Sequence, residues 1–351
     1  MPALTMGEIA PAFAAPTRGN PKFHFSTVPG RHVLLGFMPS DPARRDAGLA
    51  ALAGIRFDGR HLAAFYVTAQ TPDAAPPDRL YGERWFFDPD GAVGAAYGAG
   101  PEAPAWFVLD PALRIIARFG FEDTAALTDL LARLPPVERY AGPPMVAPVL
   151  IVPRVFDPAF CQRLIATYEA EGGQASGVMR DIGGKTVGVM DDMKKRRDVM
   201  LADLELRGEV LNRLSGNLIP MIARGLQFQA TRLERYLVAC YDADDGGYFR
   251  PHRDNETLGT AHRRFAVSIN LNADEFEGGD LRFPEFGPRT YRPPTGGAVV
   301  FCCSLQHEAT PVTRGRRYAF LPFLYDEAGQ AIRDRNGGFL DDGPALHLAS
   351  R

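Results

Sequence analysis

The chain has 351 residues, of which 46% are hydrophobic and 23% are charged, and its formal net charge is -3. This length allows two or three domains with their own cores, and the slightly acidic balance argues against a surface that binds nucleic acid. The N-terminal stretch lacks a signal-peptide pattern, and no apolar run is long enough to span a bilayer. We therefore expect a cytoplasmic protein with neither nucleic acid nor a membrane among its partners.

The N-terminal half alternates strand-like and helix-like segments. Short apolar runs at 32–38 (HVLLGFM) and 61–67 (HLAAFYV) are typical of buried parallel strands, and 105–119 predicts two strands around an Asp-Pro turn. An amphipathic helix is predicted over 122–134. This order of elements indicates an α/β layer fold. The proline-rich stretch at 134–148 (LPPVERYAGPPMVAP) cannot continue a helix and predicts a linker between domains.

The C-terminal half opens with helices and continues with strands. At 156–173 the sequence FDPAFCQRLIATYEAEGG predicts a helix that begins at the N-cap Asp157 and ends at paired glycines. A second helical pattern at 201–226 is interrupted by Pro220. Beyond it, short strands separated by Gly- and Asp-rich turns predict an antiparallel double sheet behind supporting helices.

The cysteines and one basic run do not indicate a site. The four cysteines, at 161, 240, 302 and 303, are too few and too irregular for a disulfide framework or a zinc site. Cys302 and Cys303 lie in an apolar strand, which is typical of core residues. The run KKRR at 194–197 is flanked by aspartates, which predicts a charge-balanced surface segment.

The stretch YFRPHRDN, which begins at residue 248, contains a candidate metal-binding pair. One residue separates His252 from Asp254, so on an extended backbone both side chains fall on the same face. By itself such a pair is equally compatible with a solvated charged loop. His307, however, follows the apolar strand GGAVVFCCSLQ and supplies a second imidazole from another strand. Two histidines and one carboxylate form the facial triad that is diagnostic of non-haem Fe(II) oxygenases.

Two adjacent arginines, Arg316 and Arg317, follow His307 at the start of another apolar strand. Iron held by three protein groups needs two further electrons to activate O2, and a 2-oxoacid bound to the metal can supply them. The planar guanidinium of an arginine matches the far carboxylate of a five-carbon diacid. We expect one of these arginines to bind that carboxylate and the other to lie at a strand edge.

These segments resemble the 2-oxoglutarate and Fe(II)-dependent dioxygenases of the prolyl 4-hydroxylase type. The resemblance covers about residues 145–330 and rests on LVACYDADDGGYFRPHRDN, GGDLRFPEF and GGAVVFCCSLQHEATPVTRGRRYAFLPFLY. It implies a double-stranded β-helix (jelly roll) with supporting helices. It also implies that His252, Asp254 and His307 are the iron ligands.

The same resemblance implies that Arg317 pairs with the C5 carboxylate of 2-oxoglutarate and that Tyr241 lines the pocket. The implied cofactors are Fe(II) and 2-oxoglutarate, with ascorbate as a reductant. The implied reaction consumes O2, releases succinate and CO2, and hydroxylates a substrate that the sequence does not identify: a prolyl or other residue of a peptide, or a small molecule. His262 lies close in sequence to the expected iron ligands. It is a contact to the substrate, a residue that supports an iron ligand, or an ordinary strand-edge histidine.

The N-terminal half resembles a peroxiredoxin, or redoxin, domain of thioredoxin-like fold. This resemblance covers roughly residues 5–135, including RHVLLGFMPSDPARRDAGLAAL and PAWFVLDPALRIIARF. Peroxiredoxins carry a Pro-x-x-x-Thr-x-x-Cys element here, but counted from Pro39 the threonine position holds Ala43 and the cysteine position holds Asp46. Residues 1–160 contain no cysteine, and a thiol peroxidase needs a thiolate. We therefore expect a catalytically degenerate module for docking, substrate presentation or scaffolding.

The predicted fold class is two-domain, α/β followed by β, with a redoxin-like domain at 1–135, a linker at 136–148, an oxygenase domain at 149–330 and a C-terminal tail at 331–351. The main hypothesis is a 2-oxoglutarate-dependent dioxygenase. One alternative is a sensor or adaptor that binds iron or 2-oxoglutarate and engages a partner through the redoxin-like domain. Another is a redox enzyme that uses the adjacent cysteine pair. The oligomeric state stays open.

Overall fold

The structure is a computed structural model that describes residues 4–79 and 82–339. The chain divides into two compact units. The first comprises Met1–Ala147 with Pro284–Pro288, and the second comprises Pro148–Phe283 with Arg289–Arg351. The division after residue 147 falls at the end of the expected linker.

The described part of the first unit contains seven strands, and five of them form its main sheet. Its strands are β1 Ala14–Ala15, β2 Phe23–His24, β3 His32–Phe37, β4 Leu62–Thr68, β5 Glu83–Phe87, β6 Ala105–Leu109 and β7 Ile115–Gly120. Its helices are α1 Pro42–Ala51, α2 Ala92–Tyr97 and α3 Thr124–Ala132. The strand order is β5-β4-β3-β6-β7, in which β3, β4 and β5 are parallel and the other two pairings are antiparallel. The predicted parallel pair and the predicted strand pair around the Asp-Pro turn are both present.

Burial on both faces of this sheet explains the continuous apolar runs of its strands. In β3, Val33, Leu35 and Phe37 belong to one core cluster, whereas Leu34 belongs to a second cluster. Successive side chains of a strand point to opposite faces, so a strand buried on both faces is apolar throughout.

The second unit contains the remaining elements. Its strands are β8 Leu150–Val152, β9 Gln174–Ala175, β10 Val178–Ile182, β11 Lys185–Val189, β12 Lys194–Lys195, β13 Arg197–Met200, β14 Arg232–Glu234, β15 Leu237–Asp242, β16 Tyr248–His252, β17 Phe265–Asn270, β18 Glu277–Gly278, β19 Leu281–Arg282, β20 Thr290–Tyr291, β21 Ala298–Cys302, β22 His307–Ala309, β23 Val312–Arg314, β24 Arg316–Phe320 and β25 Phe323–Tyr325. Its helices are α4 Pro158–Glu171, α5 Leu204–Asn217, α6 Ile219–Leu226 and α7 Glu327–Asn336. Helix α7 extends across the expected domain end at residue 330, and residues 340–351 of the expected tail lie outside the described residues.

The helix boundaries in this unit follow local chemistry. The side chain of Asp157 accepts a hydrogen bond from the Phe160 backbone N–H at 2.8 Å, and α4 ends at Gly172, whose φ is 69°. Both predicted caps are therefore confirmed. Leu218 separates α5 from α6, and Pro220 lies in the first turn of α6, where its missing N–H is tolerated. Within the described ranges, no helix combines the length and the apolar character needed to cross a membrane.

Most strands of the second unit belong to two larger antiparallel sheets, and β10-β11 and β18-β23 form two separate two-stranded sheets. The nine-stranded sheet runs β14-β25-β17-β24-β15-β13-β9, with β21 paired to β17 and to β8. The five-stranded sheet runs β12-β16-β22-β19-β20. Helices α4, α5 and α6 bury Leu164, Val210 and Ile222 in one core cluster with Val238 and Val267 of the larger sheet. The structure thus contains the two antiparallel sheets and the supporting helices that the sequence predicts.

Candidate functional site

Two neighbouring strands of the five-stranded sheet bring the predicted metal-binding histidines together. Strands β16 and β22 are antiparallel, and His252 at the end of β16 lies directly opposite His307 at the start of β22. A register shift typical of a β-bulge lies between Phe249 and His252. Asp254 follows two residues later, and its backbone N–H donates to the carbonyl oxygen of Cys303 at 3.0 Å. The three predicted ligands therefore meet at one end of this strand pair.

These three side chains form a compact donor cluster. His252 Nε2 lies 3.6 Å from Asp254 Oδ1, and His307 Nε2 lies 3.2 Å from Asp254 Oδ2. One ligand atom from each residue lies within 4.8 Å of the others. A cation at about 2.0–2.2 Å from each imidazole nitrogen and carboxylate oxygen fits a cluster of this size. Among the residues that the structure describes, no other group of three His, Cys, Asp or Glu side chains has such spacing.

Hydrogen bonds to the backbone orient both imidazoles. His252 Nδ1 lies 2.8 Å from the Arg250 carbonyl oxygen, and His307 Nδ1 lies 3.0 Å from that of Leu305. Because a carbonyl oxygen only accepts, each Nδ1 carries the proton and donates it, which leaves the Nε2 lone pair free at the cluster. A histidine that binds a metal needs this tautomer. The residues therefore fit a divalent cation.

The surroundings also favour the protonation states that bind a cation. Burial, together with the neighbouring His307, lowers the pKa of His252 to about 4, so this imidazole is neutral at pH 7. Burial acts to raise the pKa of Asp254, but the two histidines beside it prevail and hold that pKa well below its usual range. A neutral imidazole and an ionised carboxylate are the forms that bind metals.

Arg317 reaches the same pocket from the larger sheet. It lies in β24 opposite Tyr241 of β15, is 3% exposed, and lines the pocket with that tyrosine. Its Nε donates to Asn270 Oδ1 at 3.2 Å, and its Nη2 donates to Ser268 Oγ at 2.8 Å. Its Cζ lies 5.2 Å from the centre of the Tyr241 ring. In the described part of the chain, Arg317 forms no ion pair with a carboxylate.

The neighbouring arginine has a different environment. The side chain of Arg316 is 52% exposed, and its Nε donates to Asp242 Oδ2 at 2.7 Å. Adjacent residues of a strand point to opposite faces, so only one of the two can enter the pocket. The structure places Arg317 there and leaves Arg316 at the surface.

His262 does not lie at an exposed strand edge. It is 1% exposed, and its Nε2 lies 2.8 Å from Glu234 Oε2. The strand-edge interpretation is wrong because the segment before β17 packs His262 inside the second unit beside Tyr325, at 4.9 Å between ring centres. The histidine does not line the pocket of the donor cluster.

The basic run at 194–197 is a surface segment on one face only, with Lys195 and Arg197 exposed and the alternate side chains buried. Lys194 is 8% exposed, and the side chain of Arg196 is 6% exposed. Lys194 pairs with Phe249 of β16, and Arg196 forms an ion pair with Asp198 at 2.6 Å. Burial, reinforced by Arg196, lowers the pKa of Lys194 to about 6. The sequence did contain an indication of this burial. Lys194, Arg196 and Asp198 are each two residues apart, which places all three side chains on one face of an extended chain.

Sequence reasoning also missed three residues that line the pocket. Arg196, Arg235 and Phe249 share it with the donor cluster and Arg317. Phe249 belongs to the stretch YFRPHRDN and Arg196 to the basic run, but neither was predicted to line the site, and Arg235 lies in no motif. All three come from segments that are distant from His307 in the chain. Only strand pairing brings them to the site.

In the first unit, the residue that the peroxiredoxin resemblance aligns with a cysteine lies at the surface. Asp46 lies in α1, its side chain is 62% exposed, and it forms an ion pair with Arg45 at 2.9 Å. Ala43 is in the first turn of the same helix. All cysteines belong to the second unit and are free thiols: Cys161, Cys240, Cys302 and Cys303. The expected absence of a disulfide framework agrees with this arrangement.

Comparison with known proteins finds a family model that matches the segment carrying the site. Residues 236–325, about a quarter of the chain, match the family model described as the 2OG-Fe(II) oxygenase superfamily. This segment contains the donor cluster, Tyr241 and Arg317. A match of this kind over a segment with a His–Asp–His donor cluster agrees with the predicted class, an oxygenase that uses Fe(II) and 2-oxoglutarate.

Curated proteins similar to this chain include PKHD-type hydroxylases. That of Synechococcus sp. (strain JA-2-3B'a(2-13)) is 29% identical over 117 residues, which are 30% of this chain and 51% of that protein. That of Cupriavidus metallidurans is 30% identical over 122 residues, which are 32% of this chain and 54% of that protein. The chain thus spans about half the length of the curated relatives it matches.

Solved structures with similar coordinates include two prolyl hydroxylases. A prolyl-4-hydroxylase of Pseudomonas putida is 19% identical, with a TM-score of 0.40, over 57% of this chain and 97% of that chain. The prolyl hydroxylase of Trichoplax adhaerens, in complex with a hypoxia inducible factor peptide fragment, is 18% identical, with a TM-score of 0.43, over 52% of this chain and 86% of that chain.

Proposed function

We propose that the chain hydroxylates a C–H bond of its substrate with O2 and 2-oxoglutarate and releases succinate and CO2. In this proposal His252, Asp254 and His307 hold Fe(II), and Arg317 binds the far carboxylate of 2-oxoglutarate. The observation that carries the proposal is a buried cation without a carboxylate partner in the same pocket as a His–Asp–His donor set. We further infer that the two sheets of the second unit form a double-stranded β-helix.

The environment of Arg317 supports this role. Taking a charge out of water costs several kcal/mol, and the cost stands unless an opposite charge and hydrogen bonds compensate for it. Ser268 and Asn270 offer only neutral oxygens to the guanidinium. A diacid that reaches from the donor cluster to Arg317 supplies the missing counter-charge and fits the guanidinium fork. The guanidinium of Arg317 lies over the Tyr241 ring.

The chain's own residues position and shield the chemistry. When bound, Fe(II) and 2-oxoglutarate would supply the electrons that activate O2, which is the oxidant that converts a C–H bond into C–OH. His252 and His307 bind through Nε2, while the Nδ1 hydrogen bonds to backbone carbonyls hold their rings in place. The Phe249 ring stacks on His252 with 3.4 Å between ring centres, and Phe301 lies 4.5 Å from His307. These rings keep bulk water from one side of the donor cluster.

We infer that the first unit is a thioredoxin-like domain that contributes binding and no redox chemistry. Its strand order, with a parallel β3-β4-β5 set extended by antiparallel β6 and β7, supports the fold. The exposed carboxylate of Asp46 stands where a peroxidase needs a thiolate, and a carboxylate cannot follow the sulfenic-acid route. Docking of a partner, presentation of the substrate and scaffolding are the roles left to this unit.

The experiment that tests the proposal is turnover by the full chain. We expect protein loaded with Fe(II), in the presence of ascorbate as reductant, to form succinate from 2-oxoglutarate. Mass spectrometry of a cell extract treated in this way should reveal a product heavier by one oxygen atom. If the chain bound Fe(II) and 2-oxoglutarate but formed no succinate with any fraction of the extract, the sensor or adaptor alternative would replace the enzyme.

A further inference from the structure

Arg235 is a pocket cation that the proposed function does not use. It lies between β14 and β15 and lines the same pocket as His252 and Arg317. Its backbone φ is 72°, in the left-handed region that residues other than glycine adopt only rarely. Conformations of this kind are concentrated at binding and catalytic sites, where the surrounding structure maintains them.

Two arginines near it are already neutralised. Arg263 donates to both carboxylate oxygens of Glu234, at 3.0 and 2.5 Å. Arg196 donates to both carboxylate oxygens of Asp198, each at 2.6 Å. The charge of each of these arginines is neutralised by a carboxylate of the chain, so neither needs a charged ligand. Arg235 has no such two-oxygen pairing with a carboxylate.

The contacts of Arg235 leave its charge largely uncompensated. Within the described residues its one ion pair is a 3.5 Å contact from Nε to Glu234 Oε1, the oxygen that Arg263 already engages. Its Cζ lies 5.3 Å from the centre of the Phe323 ring, which also lines the pocket, and its side chain is 28% exposed. Burial and the nearby Arg263 lower the pKa of Arg235 to about 10, which leaves the group charged at neutral pH. The aromatic ring thus holds a cation at the pocket wall.

The charges in the pocket exceed what 2-oxoglutarate alone can balance. In the proposed function one end of 2-oxoglutarate binds at the metal and its far carboxylate pairs with Arg317. A second uncompensated guanidinium therefore calls for a second anion. We infer that the substrate hydroxylated by this chain carries a carboxylate that Arg235 binds, and that it is a small organic or amino acid. This inference rests on the proposed function and names its substrate class.

A carboxylate suits Arg235 better than a phosphate does. One guanidinium offers a single positive charge on a planar fork that matches a carboxylate. A phosphate monoester brings a charge of about −1.5 to −2 at pH 7. The empty space in and in front of the pocket, open solvent included, is about 500 Å³, which admits an acid of small-molecule size beside 2-oxoglutarate. The charge match and this limited space favour a compact acid.

The test uses the Fe(II)-loaded full chain with 2-oxoglutarate, ascorbate and the small-molecule fraction of a cell extract separated on an anion-exchange resin. We expect the retained fraction, and not the flow-through, to stimulate succinate formation and to yield a product heavier by one oxygen atom. Methyl esterification of the carboxylates in that fraction should abolish the stimulation. Phosphatase treatment should leave it unchanged.

Variants of Arg235 connect the effect to this side chain. Arg235→Gln removes one partner of a charged hydrogen-bonded pair, so the amount of retained fraction needed for half-maximal stimulation should rise about tenfold or more. Arg235→Lys keeps the charge and should recover part of this loss. Arg314→Gln is the matched control, because Arg314 is 65% exposed, pairs with Glu277 and does not line the pocket. This control should leave the half-maximal amount unchanged.

Several outcomes would overturn the inference and leave the proposed function standing. These are stimulation by the flow-through, by the esterified fraction or by the protein fraction alone, loss of stimulation on phosphatase treatment, and an Arg235→Gln variant that matches the unchanged chain. The absence of succinate with every fraction would overturn the proposed function, and the inference with it.

Discussion

The two units bury charged groups for different purposes. In the first unit, Asp88 is buried and accepts hydrogen bonds from the backbone N–H groups of Val93 and Gly94, at 3.0 and 2.8 Å. This carboxylate stabilises the N-terminal turn of α2. In the second unit, Arg317 and the donor cluster are buried around a shared pocket, and Arg317 has only neutral partners. A buried charge that the fold itself does not satisfy indicates a ligand.

The burial of a charged group therefore does not by itself identify a functional site. The informative feature is a buried charge whose partners within the chain are incomplete. By this criterion the second unit contains a candidate site, and the proposed function assigns the chemistry to that unit. Four experiments test this contrast between the units.

The largest effect is expected when a residue of the donor cluster is removed. His307→Ala should abolish succinate formation, a loss of more than about 100-fold, because even the supporting partners of metal ligands are worth 10–100-fold. Metal analysis of the purified variant should show the loss of bound iron, and circular dichroism should show an intact fold. His61→Ala, a change at an exposed histidine of the first unit, is the control. Retention of iron and turnover by His307→Ala would show that the cluster is not the metal site.

The next largest effect is expected at Arg317. Arg317→Leu leaves the far carboxylate of 2-oxoglutarate without its partner, which should cost roughly 2–5 kcal/mol. The KM for 2-oxoglutarate should therefore rise tenfold or more in steady-state succinate assays. Arg316→Leu is a matched control on the adjacent, exposed residue and should change this KM much less. Equal effects of the two changes would place the carboxylate in a different pocket.

A smaller effect is expected when the units are separated. The fragment 1–147 should be folded and should not consume hydrogen peroxide, because it contains no cysteine. The fragment 148–351 should keep Fe(II) and 2-oxoglutarate binding and slow succinate formation, but should turn over the true substrate less well. Peroxide consumption by 1–147 would contradict the assignment of chemistry to one unit. Unchanged substrate turnover by 148–351 would make the first unit dispensable.

The smallest effect is expected at a charge that serves only the fold. Asp157→Ala removes the N-cap of α4 and should lower the free energy of unfolding by about 1 kcal/mol in denaturant titrations. Asp157→Asn keeps a capping oxygen and should lose less. Neither variant should change the KM for 2-oxoglutarate, since Asp157 does not line the pocket. A change in that KM would mean that the helix end influences the site.

Much of the candidate site was predictable because its residues follow short-range rules. The alternation of side chains on a strand predicts that His252 and Asp254 share a face, and the apolar strand before His307 predicts a second buried imidazole. The structure brings all three together. Local patterns predicted the two arginines only as a pair, since both carry the same charge at the same strand end, and it was the family resemblance that singled out Arg317.

The rest of the pocket could not be predicted from local patterns. Arg196 and Arg235 are charged residues outside any motif, and charge patterning assigns such residues to the surface. The burial of Arg196 depends on the pairing of β12 with β16 and of β13 with β15, which joins segments about 40 to 55 residues apart. Arg235 additionally has a left-handed backbone that no propensity favours.

Local sequence chemistry was sufficient to predict the helix caps at Asp157 and Gly172, the strand runs and the three residues of the donor cluster, because each depends on neighbours in the chain. Tertiary structure alone decided which charges lie at the pocket. Arg317 is inside and Arg316 outside, and the basic run at 194–197 is buried on one face. The physical reason is that burial depends on which distant strands pair and which face of each strand they cover. The sequence of a single segment does not determine which of its faces becomes buried.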